Sequence, residues 1–107
     1  MIIVTSETIA NKKIMKTLGL VRGNTVRARH IGKDIMAGLR NIVGGEVHEY
    51  AKLIAESREQ TLDRMTAEAQ SLGANAIIAT RFTTSVMMGG AAELLAVGTA
   101  VIVEDDT

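Results

Sequence analysis

The chain has 107 residues, 47% of them hydrophobic and 22% charged, with no net charge, and this balance predicts one globular domain over residues 1–107. It contains no cysteine, which excludes disulfides, thiolate metal sites and cysteine nucleophiles. No apolar run approaches the roughly 20 residues of a membrane helix, and no basic segment precedes the first apolar residues, so we expect a cytoplasmic protein.

Charge is segregated along the chain. Residues 1–45 hold eight lysines or arginines and two acidic residues, whereas residues 46–107 hold four and ten. The two parts could neutralise each other within or between subunits, or the basic part could bind nucleic acid. Both aromatic residues, Tyr50 and Phe82, lie outside the basic part, so no ring there could stack on bases. This argues against a nucleic-acid interface.

The first two predicted elements are strands, over residues 2–4 and 13–29. Gly23 and Asn24 interrupt the second strand, and both residue types readily take a positive φ, which predicts a bend or bulge there. Strict alternation before that point predicts one face formed by Ile14, Lys16, Leu18, Leu20 and Arg22.

A short helix is predicted from Asp34, a favourable N-cap residue, to a glycine pair that readily ends a helix. About ten residues form a marginal helix in isolation, so this one must be held by packing. The apolar side chains of this helix form two adjacent rows, and its glycines let a neighbouring subunit approach closely. Both features indicate an assembly element. The predicted interface residues are Met36, Leu39, Ile42, Val43, Gly44 and Gly45.

The long helix is predicted over residues 46–72, with Gly73 at its C′ position. Its apolar positions form one stripe with a period of 3.6 residues, and its charged residues lie mainly on the other side, facing solvent. The stripe consists of Val47, Tyr50, Ala51, Ile54, Thr61, Leu62, Met65, Ala69 and Leu72.

Two more strands are predicted, over residues 75–87 and 92–104. Alternation in the first places Ile78, Thr80, Phe82, Thr84 and Val86 on one side. In the second, small residues let a helix approach one face, and the opposite face carries Leu95, Val97, Val101 and Val103. One long helix covers one face only, so the short helix or another subunit must cover the other.

The connection between these two strands is apolar, although a hairpin tip is normally polar. Met87 and Met88 precede two glycines and two alanines there. The segment is either buried locally within the subunit or part of an interface, and the usual meaning of apolar surface favours the interface.

Chemical motifs are sparse. The candidate metal ligands are His30, His48 and Glu49, but "HEYAK" lacks the second histidine, four residues on, of a zinc protease helix. Without cysteine, a soft metal could bind only methionine and histidine. The chain has no nucleophile elbow, P-loop or dinucleotide fingerprint, so the sequence predicts no enzyme and assigns no cofactor. Several arginines could meet a small anion between subunits, namely Arg22, Arg27, Arg29 and Arg40.

Five segments resemble the YbjQ-like family of small, uncharacterised bacterial and archaeal proteins that carry a heavy-metal-binding label. They are "TSETIANKKI", "LGLVRG", "AGLRNIVGGEVHEY", "LGANAII" and "VGTAVIV", and their order and spacing are specific where each one alone is not. The resemblance implies an α+β, dodecin-like subunit: a small antiparallel sheet packed with one long and one short helix, assembled into a ring-shaped homopentamer.

This chain departs from many relatives at two positions. They often have aspartate where Asn75 stands and an acidic residue where Arg81 stands. A metal affinity that depended on those carboxylates is therefore not expected here. The sequence thus predicts a homo-oligomer without a recognisable active site. The alternative is a module that binds a metal ion or a small anionic ligand between subunits.

Overall fold

The computed structural model describes residues 1–27, 48–86 and 92–106. Their elements are the strands β1 (Ile2–Ile3) and β2 (Lys12–Arg27), the helix α1 (His48–Ser71), and the strands β3 (Ala76–Val86) and β4 (Ala92–Asp105). The strands form one sheet in the order β1-β3-β4-β2. This is the α+β class that the sequence predicts.

The sheet is mixed rather than antiparallel. β1 runs parallel to β3, whereas β4 pairs antiparallel with β3 on one side and with β2 on the other. The expected all-antiparallel sheet is therefore wrong at one edge. The reason is the polar connection after β1, which carries the chain from one edge of the sheet to the other before β2 begins.

The predicted short helix and the apolar strand connection lie outside the described residues. Their interface candidates therefore stay predictions: Met36, Leu39, Ile42, Val43, Gly44, Gly45, Met87 and Met88. Within the described parts of the chain, no helix has both the length and the hydropathy that crossing a membrane would need.

Helix α1 packs through the predicted stripe from Thr61 to Ala69; the stripe residues Val47, Tyr50 and Ala51 have no side chains among the described ones. Met65, Ala69 and Thr61 are fully buried, whereas Ile54 and Leu72, also predicted in the stripe, are 38% and 46% exposed. Leu72 is exposed because it follows the last helical residue.

The helix ends as the sequence predicts. Gly73 has a φ of 85°. The amide of Ala74 donates to the carbonyl of Ala69 over 3.1 Å, and that of Gly73 to Gln70 over 3.0 Å. These bonds close the C-terminus in the manner of a Schellman motif.

The core beneath α1 joins the helix to small and branched residues of three strands. Met65 and Ala69 pack with the helix-facing residues Val21, Ile77, Ala96 and Ala100. The prediction that small residues of the last strand lie under the helix is confirmed at Ala96 and Ala100, because both are fully buried in this cluster.

A second core lies on the opposite face of the sheet. It contains Ala76, Ile78, Val101 and Val103, and it is covered by Val4, Ile9 and Ile14. Part of this face is thus covered by the connection between β1 and β2, which the sequence argument did not consider.

Irregular pairing changes two predicted faces. In β3 the register shifts between Ile78 and Arg81, around Ala79 with a φ of 54°. This extra residue puts Ile78 in the second core and Phe82 on the helix side, so the predicted common face is wrong at Ile78. The later members of that face, Phe82, Thr84 and Val86, do share one side.

Strand β2 has two such shifts, between Ile14 and Lys16 and between Thr17 and Gly19. Leu18 therefore packs against the core beneath α1. Leu20, by contrast, pairs with Thr99 on the other face, so the predicted common face of β2 is also wrong. The expected bulge at residues 23–24 is absent, since both residues pair regularly with β4.

Candidate functional site: a charged cleft at the edge of β2

A cleft of about 480 Å³ lies where α1 passes the outer edge of β2. The helix contributes two charged side chains, and β2 and β4 contribute the rest. The cleft is lined by Arg22, Gly23, Asn24, Arg64, Glu68, Glu93 and Leu95. Two arginines and two glutamates line the cleft, so the lining carries no net charge.

Gly23 makes this arrangement possible. A Cβ atom at this position would lie 2.3 Å from the carbonyl oxygen of Thr61 and 2.5 Å from the amide nitrogen of Met65. Both are helix backbone atoms, which cannot move aside as a side chain could. Only glycine allows α1 to lie this close to the edge strand.

Buried hydroxyl groups fix the helix beside the cleft. The hydroxyls of Thr25 and Thr61 are 3.0 Å apart. Thr61 also donates to the carbonyl of Ser57 over 2.8 Å. Both bonds satisfy polar groups that are shielded from water, and the contact between Thr25 and Thr61 holds the helix at a defined position along β2.

Two of the lining side chains are held in place. Nη1 of Arg64 donates to the carbonyl oxygen of Asn24 over 2.5 Å. Nδ2 of Asn24 donates to Oε2 of Glu93 over 3.1 Å. Asn24 therefore connects a helix cation on one side of the edge strand to a carboxylate on the other.

The other two charged side chains of the lining have no partner in the part of the chain that the structure describes. Among the described residues, neither the guanidinium of Arg22 nor the carboxylate of Glu68 makes a hydrogen bond or an ion pair with a side chain or main chain. Opposite charges that share a cleft without pairing are available to a ligand.

The predicted metal ligands are not brought together in the described structure. His30 lies outside the described residues, and His48 and Glu49 begin α1, where the structure describes only the backbone. No three histidine, aspartate or glutamate side chains of residues 1–27, 54–86 and 92–106 are grouped so that they could hold a metal. A metal site at these candidates stays a prediction.

Of the four arginines predicted to meet an anion, Arg22 lines the cleft. Arg29 and Arg40 lie outside the described residues, and only the backbone of Arg27 is described. Sequence reasoning missed Arg64, Glu68 and Glu93, which come from other elements. The signal that could have found them is Gly23, because a glycine inside a strand marks close backbone approach as well as a bend.

Asn75 and Arg81, at which the resemblance implied acidic residues, serve the fold here. Nη1 of Arg81 donates to the carbonyls of Thr5 and Thr80 over 2.7 and 2.8 Å. The side-chain amide of Asn75 donates to the carbonyl of Val103 over 2.9 Å and accepts from its amide over 2.8 Å. Asn75 thereby extends the sheet ladder by one residue on the side of β3.

One ion pair closes the far end of the sheet. Nζ of Lys12 lies 2.5 Å from Oδ1 of Asp105. The hydrogen bond from Lys12 and its positive charge hold the pKa of the Asp105 carboxyl below its ordinary value. The pair lies at the opposite end of β2 from the cleft, so it belongs to the fold rather than to the site.

Comparison with known proteins places the whole arrangement among uncharacterised relatives. The sequence model of a family described as "Putative heavy-metal-binding" matches residues 1–104. A UPF0145 protein of Dehalococcoides mccartyi is 59% identical over 97% of this chain and 100% of its own length. A UPF0145 protein of Methanosarcina acetivorans is 56% identical over 94% of this chain and 95% of its own length.

One solved structure shares the fold. It is the crystal structure of a protein of unknown function from the DUF74 family of Pediococcus pentosaceus. It is 15% identical, has a TM-score of 0.63, and the match covers 97% of this chain and 98% of that one.

Proposed function

This chain belongs to the YbjQ-like family, and from that premise we propose that it is the subunit of a cytoplasmic homo-oligomer, a ring of five copies without a catalytic site. The observation that carries the proposal is that, among the residues that the structure describes, a single helix leaves about half of the sheet uncovered. A helix is about 10 Å wide, whereas four strands at about 4.8 Å span nearly twice that width.

The helix-side face is open over β3. α1 packs mainly on β2, less on β4 and least on β3. Phe82 and Val86 are consequently 43% and 87% exposed. We call these two residues the β3 strip.

The opposite face is open near the other edge. The connection before β2 covers only the second core, and Leu20 and Val26 are 66% and 50% exposed. We call these two residues the β2 strip. Both strips are apolar, as surfaces buried on assembly are.

A second copy of the chain fits these surfaces. The strips differ, so contact between the β2 strip of one copy and the β3 strip of the next is head to tail. Repeated with a rotation of one fifth of a turn, this contact closes the proposed ring of five. The charge distribution supports a second copy of the same chain as the partner, because the net positive charge of residues 1–45 equals the net negative charge of residues 46–107.

The test uses two variants, Leu20→Asp and Val86→Asp, each carrying a charge in one strip. Each alone should sediment as a monomer with unchanged helical circular dichroism, because a buried unpaired carboxylate costs several kcal/mol at an interface. Mixed together they should form dimers and nothing larger, since each retains one intact strip. Ala67→Asp, on the exposed face of α1, is the control and should remain pentameric.

Two outcomes would contradict the proposal. Pentamers from either strip variant would mean that the strips face solvent. Monomeric wild-type protein would mean that the strips are covered within the subunit, as the alternative role of the predicted short helix requires.

The second candidate is a binding module. The description of the family supports a metal ion as its ligand. Within the described residues the geometry favours a charged organic ligand instead, because Arg22 lines a cleft with no partner of its own there.

A further inference from the structure

We propose that the cleft at the edge of β2 binds a small zwitterion, a molecule with one carboxylate and one ammonium group such as an α-amino acid or a short peptide. This deepens the binding-module candidate and does not depend on the assembly. All of its residues belong to one subunit.

The carboxylate would bind at Arg22. The carbonyl of Asn24 receives Arg64, so it points away from β4 and toward the outer edge of the sheet. In an antiparallel ladder the N–H and C=O of a residue point to the same side, and alternate residues share that side. The main-chain N–H groups of Arg22 and Asn24 therefore also point outward.

No described strand pairs with that edge, because β2 is the last strand of the sheet. Two outward N–H groups, about 6.8 Å apart along the strand, and an unpaired guanidinium thus lie along one edge, where a carboxylate can bind the guanidinium and one of the N–H groups. Charge-assisted hydrogen bonds from arginine and main-chain amides are what a carboxylate requires.

The ammonium would bind at Glu68. This carboxylate lies four residues after Arg64 and so on the same face of α1. It has no partner among the described residues, and Glu93 accepts one hydrogen bond, from Asn24, which leaves its other oxygen available. An ammonium group has three donors and can satisfy the Glu68 carboxylate directly.

Because the charges of the lining cancel, the cleft favours a ligand whose own charges also cancel. The lining holds two arginines and two glutamates. A simple anion would leave the carboxylates opposed, and a simple cation would leave the guanidiniums opposed. Leu95 supplies an apolar wall, and the volume of about 480 Å³ suits a small ligand rather than a polymer.

The experiment measures binding of four probes by titration calorimetry to the protein in its native assembly. L-leucine and glycyl-L-leucine carry both charges, N-acetyl-glycyl-L-leucine lacks the ammonium, and glycyl-L-leucine amide lacks the carboxylate. We expect at least one zwitterion to bind at least tenfold more tightly than both single-charge probes. L-leucine and the dipeptide distinguish a free amino acid from a peptide.

Two variants test which residue binds the carboxylate end of the ligand and which binds the ammonium end. Arg22→Gln should lose at least tenfold in zwitterion affinity but leave the weak binding of the amide unchanged. Glu68→Gln should lose as much but leave the N-acetyl peptide unchanged. Glu59→Gln, on α1 away from the cleft, is the matched control and should bind as wild type.

The proposal fails if no zwitterion binds below millimolar concentration. It also fails if N-acetyl-glycyl-L-leucine binds as tightly as the free dipeptide, which would indicate an anion site only. Sedimentation of the same samples separates this failure from a failure of assembly. Glu68 lies on α1 outside both strips, whereas Arg22 lies between Leu20 and Val26 of the β2 strip, so its loss of binding is scored only on samples that assemble as wild type.

Discussion

Gly23 is the residue on which the distance between helix and sheet depends. Replacing it with alanine puts a methyl group within 2.5 Å of two backbone atoms of α1. We expect Gly23→Ala to lower the free energy of unfolding by about 3 kcal/mol or more, since overpacking against backbone forces the helix outward. Urea unfolding followed by circular dichroism measures this.

The control for Gly23 is Thr17→Ala, an exposed position in the same strand. It should change stability by less than about 1 kcal/mol, within the range of surface substitutions. A Gly23→Ala protein as stable as this control would show that α1 can shift without cost.

Asn75 acts through both atoms of its amide group. Aspartate could still accept from the amide of Val103, but an ionised carboxylate cannot donate to the carbonyl that Asn75 now serves. We expect Asn75→Asp to cost about 1–3 kcal/mol at pH 7, measured by urea unfolding. Asn75→Ala removes both bonds without adding charge and isolates the repulsive part; a stable Asn75→Asp protein would refute this role.

At the scale of elements, the Lys12–Asp105 pair joins the start of β2 to the end of β4. The folded state lowers the pKa of Asp105 below its ordinary value of 3.8. The pair therefore adds stability above pH 3.8, and this is lost as the pH falls through the folded-state pKa. Because Asp105 is exposed and screened by water, the effect is small.

We expect Lys12→Gln to melt at a lower temperature than wild type at pH 7. The difference should shrink below pH 3.8, once Asp105 becomes protonated in both proteins. Thermal melts between pH 2 and 7 measure this. Lys13→Gln is the matched control; an equal loss in both variants, or a difference that persists at pH 2, would assign the effect elsewhere.

The elements themselves were largely predictable, because period and capping residues are local signals. α1 and its end at Gly73 follow from a 3.6-residue stripe and a glycine, and β4 follows from alternation. The faces of β2 and β3 were not predictable in the same way. The extra residue at Ala79 changes the face of the sheet on which each later side chain of β3 lies. An alanine in the sequence does not indicate a bulge.

At the scale of the whole molecule, the candidate cleft combines β2, α1 and β4, which are distant in sequence. Arg22 could be proposed from the basic part of the chain, but its neighbour Glu68 could not. These two residues line the same cleft because α1 lies close to β2 at Gly23. A sequence motif does not show such a tertiary contact. The sequence therefore supplied one of the four charged lining residues.

Metal affinity is a property of the whole protein that the family description raises. We expect titration with Zn²⁺, Cu²⁺ and Ni²⁺ to give dissociation constants above roughly 10 μM, equivalent to no better than about −7 kcal/mol. The reason is the lack of cysteine and of a ligand motif. A stoichiometric submicromolar site abolished by His30→Ala or His48→Ala would contradict this expectation.

The central position of β4 governs the order in which this chain can fold during its synthesis. β2 has no described strand to pair with except β4, and Lys12 pairs with Asp105 across 93 positions of sequence. The ribosome therefore releases β2 long before its partner exists, and until then β3 can pair only with the two residues of β1. Contacts this distant slow folding and leave an apolar strand exposed meanwhile. Nascent chains stalled before residue 92 should accordingly remain sensitive to protease, however long they are held.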